Sequence, residues 1–303
     1  MSALRHNLYL YGEDGELARR MGAFLAEGLD AGETVVVVAT PAHRSMFEDE
    51  LTAAGEQVVF MDPHLHYTRA EAAIAGYDGE LRRLQAGGAT SIRMYAELPF
   101  DLRQPGPWDR WMTYEAIFTH AFAHHPLYIV CGYDRRTTPA PRVDDLRRSH
   151  PEVMTDTARP SADYADPREV VRALARPPRA IPELPVLDVS GDQRVLRSML
   201  MAQMTRAGVA DGAARDGLIA VNELLVNANR HAGGLRELRA GPVGERFVVE
   251  LSDDGGGYDD PLAGYMPPRQ DELATAGLWV ARQLSADLEL LSSSAGLTAR
   301  VWI

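Results

Sequence analysis

The apolar and polar positions fall into two series, separated by a proline-rich stretch at residues 159–185. In the first series, short runs of strand formers alternate with segments of helical period. His6 to Tyr11 alternates as a strand does, and Gly12 to Gly15 reads as a turn. Glu16 to Leu29 repeats apolar residues at Leu17, Met21, Phe24, Leu25 and Leu29, a helical spacing. Thr34 to Thr40, TVVVVAT, is a continuous run of the kind buried on both faces of a parallel sheet. The pattern continues with a helix over Arg44 to Ala54, a strand over Gln57 to Met61, and a helix over Arg69 to Gln85 closed by Gly87 and Gly88. Strands follow at Ser91 to Tyr95 and Leu127 to Val130, with a helix between them from Trp108 to His124. Such alternation predicts a doubly wound α/β sheet. Its ligands bind beyond the carboxyl ends of the strands. Those ends are Tyr11-Gly12-Glu13, Thr40, Asp62, Glu97 and Cys131-Gly132-Tyr133-Asp134.

The second series starts after six prolines in residues 159–185, a partly flexible linker with room for a short helix over Arg168 to Arg176. Val186 to Val189 reads as a strand. Ser190 is placed to cap a helix over Asp192 to Ala207. A long helix runs from Asp211 to His231, and Gly233-Gly234 stops it. Strands follow at Leu235 to Ala240 and Arg246 to Ser252, then a helix over Gly277 to Leu284 and strands over Leu288 to Ser292 and Thr298 to Ile303. Helices grouped against a mostly antiparallel sheet predict an α/β sandwich. The expected division is therefore 1–158, a linker at 159–185, and 186–303.

Composition narrows the function. The 303 residues, 46% hydrophobic, suffice for two cores. Thirty-one basic against forty-three acidic residues give a net charge of −12, which disfavours direct nucleic-acid binding. No apolar run reaches the ~18 residues of a membrane span. The opening residues lack signal-peptide form, and the single cysteine, Cys131, can make neither an internal disulfide nor a cysteine-built zinc site. A cytoplasmic protein is expected. Every basic residue is arginine, so P-loop, eukaryotic-kinase and Schiff-base lysines are all excluded. YGEDGELARR, after the first strand, has neither GxGxxG nor GK[ST], which argues against nucleotide there.

The candidate chemistry concentrates in the second series. Glu223, Asn227 and His231 are four apart and share a helix face. Leu218, Val221, Leu225, Ala228 and Ala232 lie on another face, available for the core. Three of the four asparagines, Asn222, Asn227 and Asn229, fall here. An asparagine carbonyl suits Mg2+, and a carboxylate one turn away can accept a proton from an attacking hydroxyl. Asp253-Asp254-Gly255-Gly256-Gly257 follows a strand directly, where an acid can accept a hydrogen bond from an exocyclic amine and glycines let backbone approach a ligand. Thr275-Ala276-Gly277-Leu278 opens a helix, and helix N-termini bind phosphate. Tyr258 to Ala274 has the size of a lid, with Arg269 either a γ-phosphate contact or solvent-exposed. In the first series, His6 is either a sensor residue or a satisfied polar residue opening a strand, and Cys131 either a sensor residue or a buried strand-end thiol. Glu97, Glu115 and Asp134 either face a pocket or pair with Arg93, Arg110 and Arg135. His120, His124 and His125 invite a metal reading but have no clear third ligand.

The first half resembles the MEDS sensory domain, a RecA-like fold without its P-loop. The carrying residues are His6-Asn7-Leu8-Tyr9-Leu10-Tyr11-Gly12, Ala31-Gly32-Glu33 before the valine strand, Arg93-Met94-Tyr95-Ala96-Glu97, Tyr114-Glu115-Ala116 and Cys131-Gly132-Tyr133-Asp134. This implies sensing of a small-molecule or protein signal. In the second half, Glu223-x-x-x-Asn227-Ala228-x-x-His231-Ala232, Asp253-x-Gly255-x-Gly257, Thr275-Ala276-Gly277-Leu278 and Gly296-Leu297-Thr298 resemble the N-box and glycine elements of the Bergerat ATP-binding fold of the GHKL superfamily. The GLWVARQL helix, Gly277 to Leu284, is similar to that of bacterial anti-sigma factor serine kinases.

The resemblance implies ATP and Mg2+ as cofactors. Glu223 would be the general base, Asn227 the Mg2+ ligand and Asp253 the adenine contact. Gly255 and Gly257 would shape the adenine pocket, Gly277 and Leu278 would meet the phosphates, and Thr298 would lie near the adenine. It further implies serine phosphorylation of an anti-anti-sigma STAS-domain partner, and sequestration of a sigma factor. Thr275 stands where the family has glycine, which puts ATP affinity or lid closure in question. Two alternatives remain: a sensor histidine kinase, which needs a dimerising helical hairpin that 159–185 leaves no room for, and a non-catalytic, nucleotide-dependent binding module.

Overall fold

A computed structural model describes residues 4–51, 58–63, 69–98, 108–175, 177–189, 192–268 and 276–303, without the side chains at 49, 50, 109 and 110. The chain divides into two compact units, Met1–Ala175 and Arg176–Ile303.

The first unit contains β1 (Arg5–Tyr11), α1 (Asp14–Asp30), β2 (Thr34–Val38), α2 (Pro41–Leu51), β3 (Val58–Met61), α3 (Ala70–Ala86), β4 (Ile92–Glu97), α4 (Trp108–Ala121), β5 (Leu127–Asp134), α5 (Ala140–Ser149), β6 (Glu152–Met154), β7 (Ala158–Pro160) and α6 (Pro167–Leu174). Its sheet has the order β3-β2-β4-β5-β1-β6-β7, parallel except for β7. The doubly wound sheet is as expected. Val35 to Val38 are all buried, because β2 is covered on both faces. Strand alternation sends Tyr9 and Tyr11 to one side of β1, where they pack with Leu17, Met21, Phe24 and Leu25 of α1. His6, Leu8 and Leu10 face the other side, beside Ile129, Cys131 and Tyr133 of β5.

Three elements escape the sequence reading. Helix α5 buries only Leu146 and Ser149, so it carries no apolar period, and β6 and β7 are three residues each, too short to alternate. The proline-rich segment is divided between the units. Its first part supplies β7 and α6, where Asp166 caps the helix through Arg168 N, Pro167 occupies the first turn, and Val170 and Val171 are buried. Its last part clings to the second unit. Leu184 packs with Val248 and Trp302. Arg179 lies 3.7 Å over the Trp302 ring and pairs with Asp287 at 2.7 Å.

The second unit contains β8 (Val186–Leu187), α7 (Gln193–Arg206), α8 (Asp211–Ala232), β9 (Leu235–Val243), β10 (Arg246–Asp253), α9 (Gly277–Leu284), β11 (Asp287–Ser293) and β12 (Gly296–Trp302). The sheet, β11-β12-β10-β9-β8, is antiparallel throughout. Helices cover one face. Leu196, Leu200 and Met204 of α7 and Val221, Leu224 and Leu225 of α8 meet Leu238, Phe247, Val249 and Leu251 of the sheet. Val248 alternates to the far face, which is why it meets Leu184. Asp192 caps α7 by accepting from Arg194 N at 2.8 Å; Ser190, expected in that role, lies outside the described residues. Gly233 ends α8 with φ 75°, as the glycine pair requires. Among the described residues no helix is long and apolar enough to cross a membrane.

Because Leu184 is 5% exposed, Leu184→Ala is expected to destabilise the second unit by about 2–5 kcal/mol. Native-state hydrogen exchange at Val248 and Trp302 reads this; unchanged protection there would return residues 177–185 to the role of a plain tether.

Candidate functional site

The site is assembled where α8, the first turn of α9 and the end of β10 meet. Glu223 and Asn227 are half-buried on α8. Both side chains reach Gly277, the buried first residue of α9. A Cβ on Gly277 would stand 3.1 Å from Asn227 Oδ1 and 3.2 Å from both Asn227 Nδ2 and Glu223 Oε2. Glycine lets a helix N-terminus come this close to a carboxylate and an amide, where a Cβ would press both side chains back. Among the described residues neither polar side chain has a hydrogen-bond partner. Ala276 occupies the N-cap of α9 without a capping side chain, so the N–H groups of the first turn keep their bonding capacity. A carboxylate, an amide oxygen and open helix N–H groups form a donor set that fits a hard cation beside phosphate.

Asp253 ends β10 at a register shift next to Ser252. Its Oδ1 accepts from Gly255 N at 2.9 Å and Leu297 N at 3.3 Å. Its Oδ2 is left without a partner among the described residues, an acceptor held in fixed orientation. That fits the amine edge of a purine. Thr298 bonds to Ser252 across β10 and β12, Oγ to Oγ1 2.9 Å, and so sits beside the aspartate's strand end.

The glycines answer to the protein itself more than to a ligand. Gly257 has φ +76°, and a Cβ there would lie 2.6 Å from Ser292 Oγ. A Cβ on Gly255 would lie 3.0 Å from that of Ala232. The tightest contact is at Gly296, with φ +126°, where a Cβ would fall 1.9 Å from the carbonyl oxygen of Asp253. Leu278 is half-buried and packs against the core.

The lid expected to begin at Tyr258 is already anchored over its first half. Leu262 and Ala263 are buried. Buried Arg282 of α9 donates Nε to Ala263 O at 2.7 Å and Nη1 to Leu288 O at 3.2 Å, and stacks 4.0 Å over the Tyr265 ring. Arg269 and Thr275 lie outside the described residues. Asn222 bonds to Arg197 on the flank of α8, and His231 is exposed in its last turn, one turn beyond Asn227.

In the first unit, Glu97 closes β4 and accepts from Thr40 N at 2.6 Å, His43 Nδ1 at 2.6 Å and Tyr95 OH at 3.0 Å. It does not pair with Arg93, which bonds instead to Glu33 at 2.5 Å. Asp134 pairs with Arg136 rather than Arg135, whose guanidinium goes to Leu10 O. The side chain of Arg110 lies outside the described residues. His124 and His125 surround Asp78, the carboxylate absent from the sequence reading. It is already held by His125 at 2.9 Å and Arg82 at 2.7 Å, while exposed His120 takes no part in this group. His6, Glu115 and Cys131 meet inside the unit, joined by His150. His43, Asp78 and His150 were missed because the partners that define their groups, Glu97, His125 and Glu115, lie tens of residues away.

The chain covers known families in both units. Residues 5–151 match the family described as MEDS, the MEthanogen/methylotroph, DcmR Sensory domain. Residues 190–302 match the histidine kinase-like ATPase domain. Among solved structures, the histidine kinase domain from Erythrobacter litoralis EL346 blue-light activated histidine kinase is similar at 18% identity and a TM-score of 0.24, covering 36% of this chain. The match spans 63% of that protein's chain. No curated protein matches the chain.

Two outcomes follow from the geometry. Gly296→Ala forces a side chain into a left-handed backbone and onto a carbonyl, at a cost of about 1–3 kcal/mol or more. A fall in thermal stability together with weaker ATP binding is expected by scanning and titration calorimetry; a variant with unchanged binding would separate Gly296 from the Asp253 site. The hydrogen bond that His43 Nδ1 donates to Glu97 raises the pKa of His43 above its ordinary 6.5, opposed by partial burial. The stability this bond contributes is present below the ordinary value and lost as pH rises through the folded one. NMR titration should find His43 elevated in the native chain and lowered in Glu97→Gln; equal values would remove the assignment.

Proposed function

Starting from a MEDS domain at residues 5–151 joined to a histidine kinase-like ATPase domain at residues 190–302, we propose a signal-responsive regulator of the anti-sigma factor kinase type. Its second unit binds Mg-ATP and phosphorylates a serine on an anti-anti-sigma STAS partner, with a sigma factor as the protein it sequesters. Its first unit adjusts that output to a small-molecule or protein signal. The observation that carries the reading is the convergence of Glu223, Asn227 and the first turn of α9 on Gly277.

In this reading Asn227 Oδ1 holds Mg2+, the N–H groups at Gly277 and Leu278 receive phosphate oxygens, and Asp253 Oδ2 accepts from the adenine amine. Gly255 and Gly257 wall the base, and Thr298 flanks it beside Ser252. Bound Mg-ATP supplies the γ-phosphoryl group and neutralises its developing charge. Glu223 accepts the proton of the attacking serine hydroxyl through its unpartnered carboxylate. No lysine exists in the chain to share the work.

Transfer to a partner is favoured over transfer to a histidine of this chain. His150, the last histidine ahead of the ATPase domain, is 0% exposed, whereas a phosphoacceptor must reach the nucleotide. Between it and β8, the helix among the described residues is α6, of eight residues, too short for a dimerising hairpin.

The test is transfer of labelled γ-phosphate to a STAS partner. Glu223→Ala is expected to slow transfer by about 10²–10⁴-fold, with ATP affinity by calorimetry changed little. Asp253→Ala is expected to weaken ATP binding by about 1–3 kcal/mol. Unimpaired transfer by Glu223→Ala would remove the general-base role. An acid-labile phosphohistidine would replace the reading with a histidine kinase, and ATP binding without transfer would leave a nucleotide-dependent binding module.

A further inference from the structure

Four side chains far apart in the chain turn one atom each toward a common point inside the first unit. They are His6 of β1, Glu115 of α4, Cys131 of β5 and His150, the residue that ends α5. All are buried, with exposures of 1%, 2%, 6% and 0%, and their ligand atoms lie within 4.8 Å of one another. His6 Nε2 is 3.4 Å from Cys131 Sγ and 3.7 Å from Glu115 Oε2, and His150 Nε2 is 3.4 Å from the same carboxylate oxygen.

The hydrogen bonds around this point leave it short of donors. His150 Nδ1 lies 2.8 Å from Leu146 O. A carbonyl only accepts, so Nδ1 carries the proton and Nε2 presents a lone pair. That lone pair faces Glu115 Oε2, whose partner oxygen Oε1 already accepts from Tyr133 OH at 2.6 Å. Both Glu115 Oε2 and His150 Nε2 are buried without a hydrogen-bond partner. Two acceptors left facing each other away from water are costly. Burial keeps both imidazoles neutral, with pKa lowered to about 3, and pushes the Glu115 carboxyl up. A protonated Glu115 would have to donate to His150 across 3.4 Å, beyond the range of an O–H hydrogen bond.

We propose that His6 Nε2, Glu115 Oε2, Cys131 Sγ and His150 Nε2 bind one Zn2+ ion. Three observations fit that ion. Zinc bonds of about 2.0–2.1 Å to nitrogen and oxygen and about 2.3 Å to sulfur imply tetrahedral edges of about 3.3–3.4 Å between nitrogen and oxygen and about 3.5 Å between nitrogen and sulfur, which two of the distances above meet and the His6–Glu115 distance exceeds by a few tenths of an ångström. The outer atoms of the non-sulfur ligands are already oriented: His6 Nδ1 bonds to Thr119 Oγ1 at 3.1 Å, His150 Nδ1 to Leu146 O, and Glu115 Oε1 to Tyr133. The charge closes as well. On binding, the Cys131 thiol and the Glu115 carboxyl each lose one proton to solvent, and the two neutral imidazoles lose none. One divalent ion, one thiolate and one carboxylate sum to zero, the state a dry interior tolerates. Four protein ligands leave no open position, which makes the site structural. It fastens the end of α5 and helix α4 to the paired strands β1 and β5.

The Asp78, His124 and His125 group offers no such case, because Arg82 already neutralises its carboxylate.

The test uses the full chain, purified without chelator, with metal content measured and cobalt then exchanged in as a spectroscopic probe. About one equivalent of zinc is expected, with tetrahedral cobalt bands and a thiolate-to-cobalt charge-transfer band after exchange. Cys131→Ser, confirmed folded by circular dichroism, should keep the ion and lose the charge-transfer band. His150→Ala should lose affinity by at least about 10-fold. Folded wild-type chain that retains less than about half an equivalent of zinc and develops no cobalt bands overturns the proposal. So does a charge-transfer band that survives Cys131→Ser.

Discussion

The second unit depends on two points where backbone occupies the space a side chain would need. At Gly277 the start of a helix is pressed against Glu223 and Asn227. At Gly296 a strand start is pressed against the carbonyl of Asp253. Each contact brings a different wall of the site into place, one beside Glu223 and Asn227, the other beside Asp253. Neither tolerates even a methyl group without displacement. The core beneath, from Leu200 and Leu225 to Phe247 and Val249, is ordinary helix-on-sheet packing and admits exchange among apolar residues of like volume. Site geometry is thus set by steric exclusion at two glycines more than by any polar bond.

Much of the architecture was legible, and the reasons are local. The valine run of β2, the period of α1 and the Gly233-Gly234 stop after α8 each carry their signal within a dozen residues. The constellation Glu223, Asn227, Asp253, Gly277 and Gly296 was legible as a set of spacings, and the fold brings these residues to the contacts described. What the sequence concealed was how the glycines are used. Gly255 and Gly257 read as room for a ligand, yet their nearest neighbours are Ala232 and Ser292. The proline-rich stretch misled for a related reason. Proline forbids helix interiors and central strands, but it does not forbid an extended segment from laying Leu184 and Arg179 onto the back of a sheet.

The first unit resists sequence reading where its chemistry is densest. His6, Glu115, Cys131 and His150 come from four elements and share no motif, and only the register of β1 against β5 and the packing of α4 and α5 collect them. Pairing guesses based on neighbouring charges failed in the same way. Glu97 and Asp134 take partners on adjoining elements or two residues on, because strand ends point into shared space while adjacent residues point to opposite faces.

Arg282 has a thermodynamic consequence for nucleotide binding. Its planar fork spans two carbonyls, Ala263 O and Leu288 O, and its face covers Tyr265, a combination that an ammonium group cannot reproduce. Residues 262–265 are therefore ordered on α9 as part of folding. Ordering a residue's backbone costs about 1–2 kcal/mol, and for these residues that loss falls on the folding equilibrium instead of on the affinity for ligand. Residues 262–265 enter binding preorganised, so their share of any affinity is obtained from stability built elsewhere in the unit.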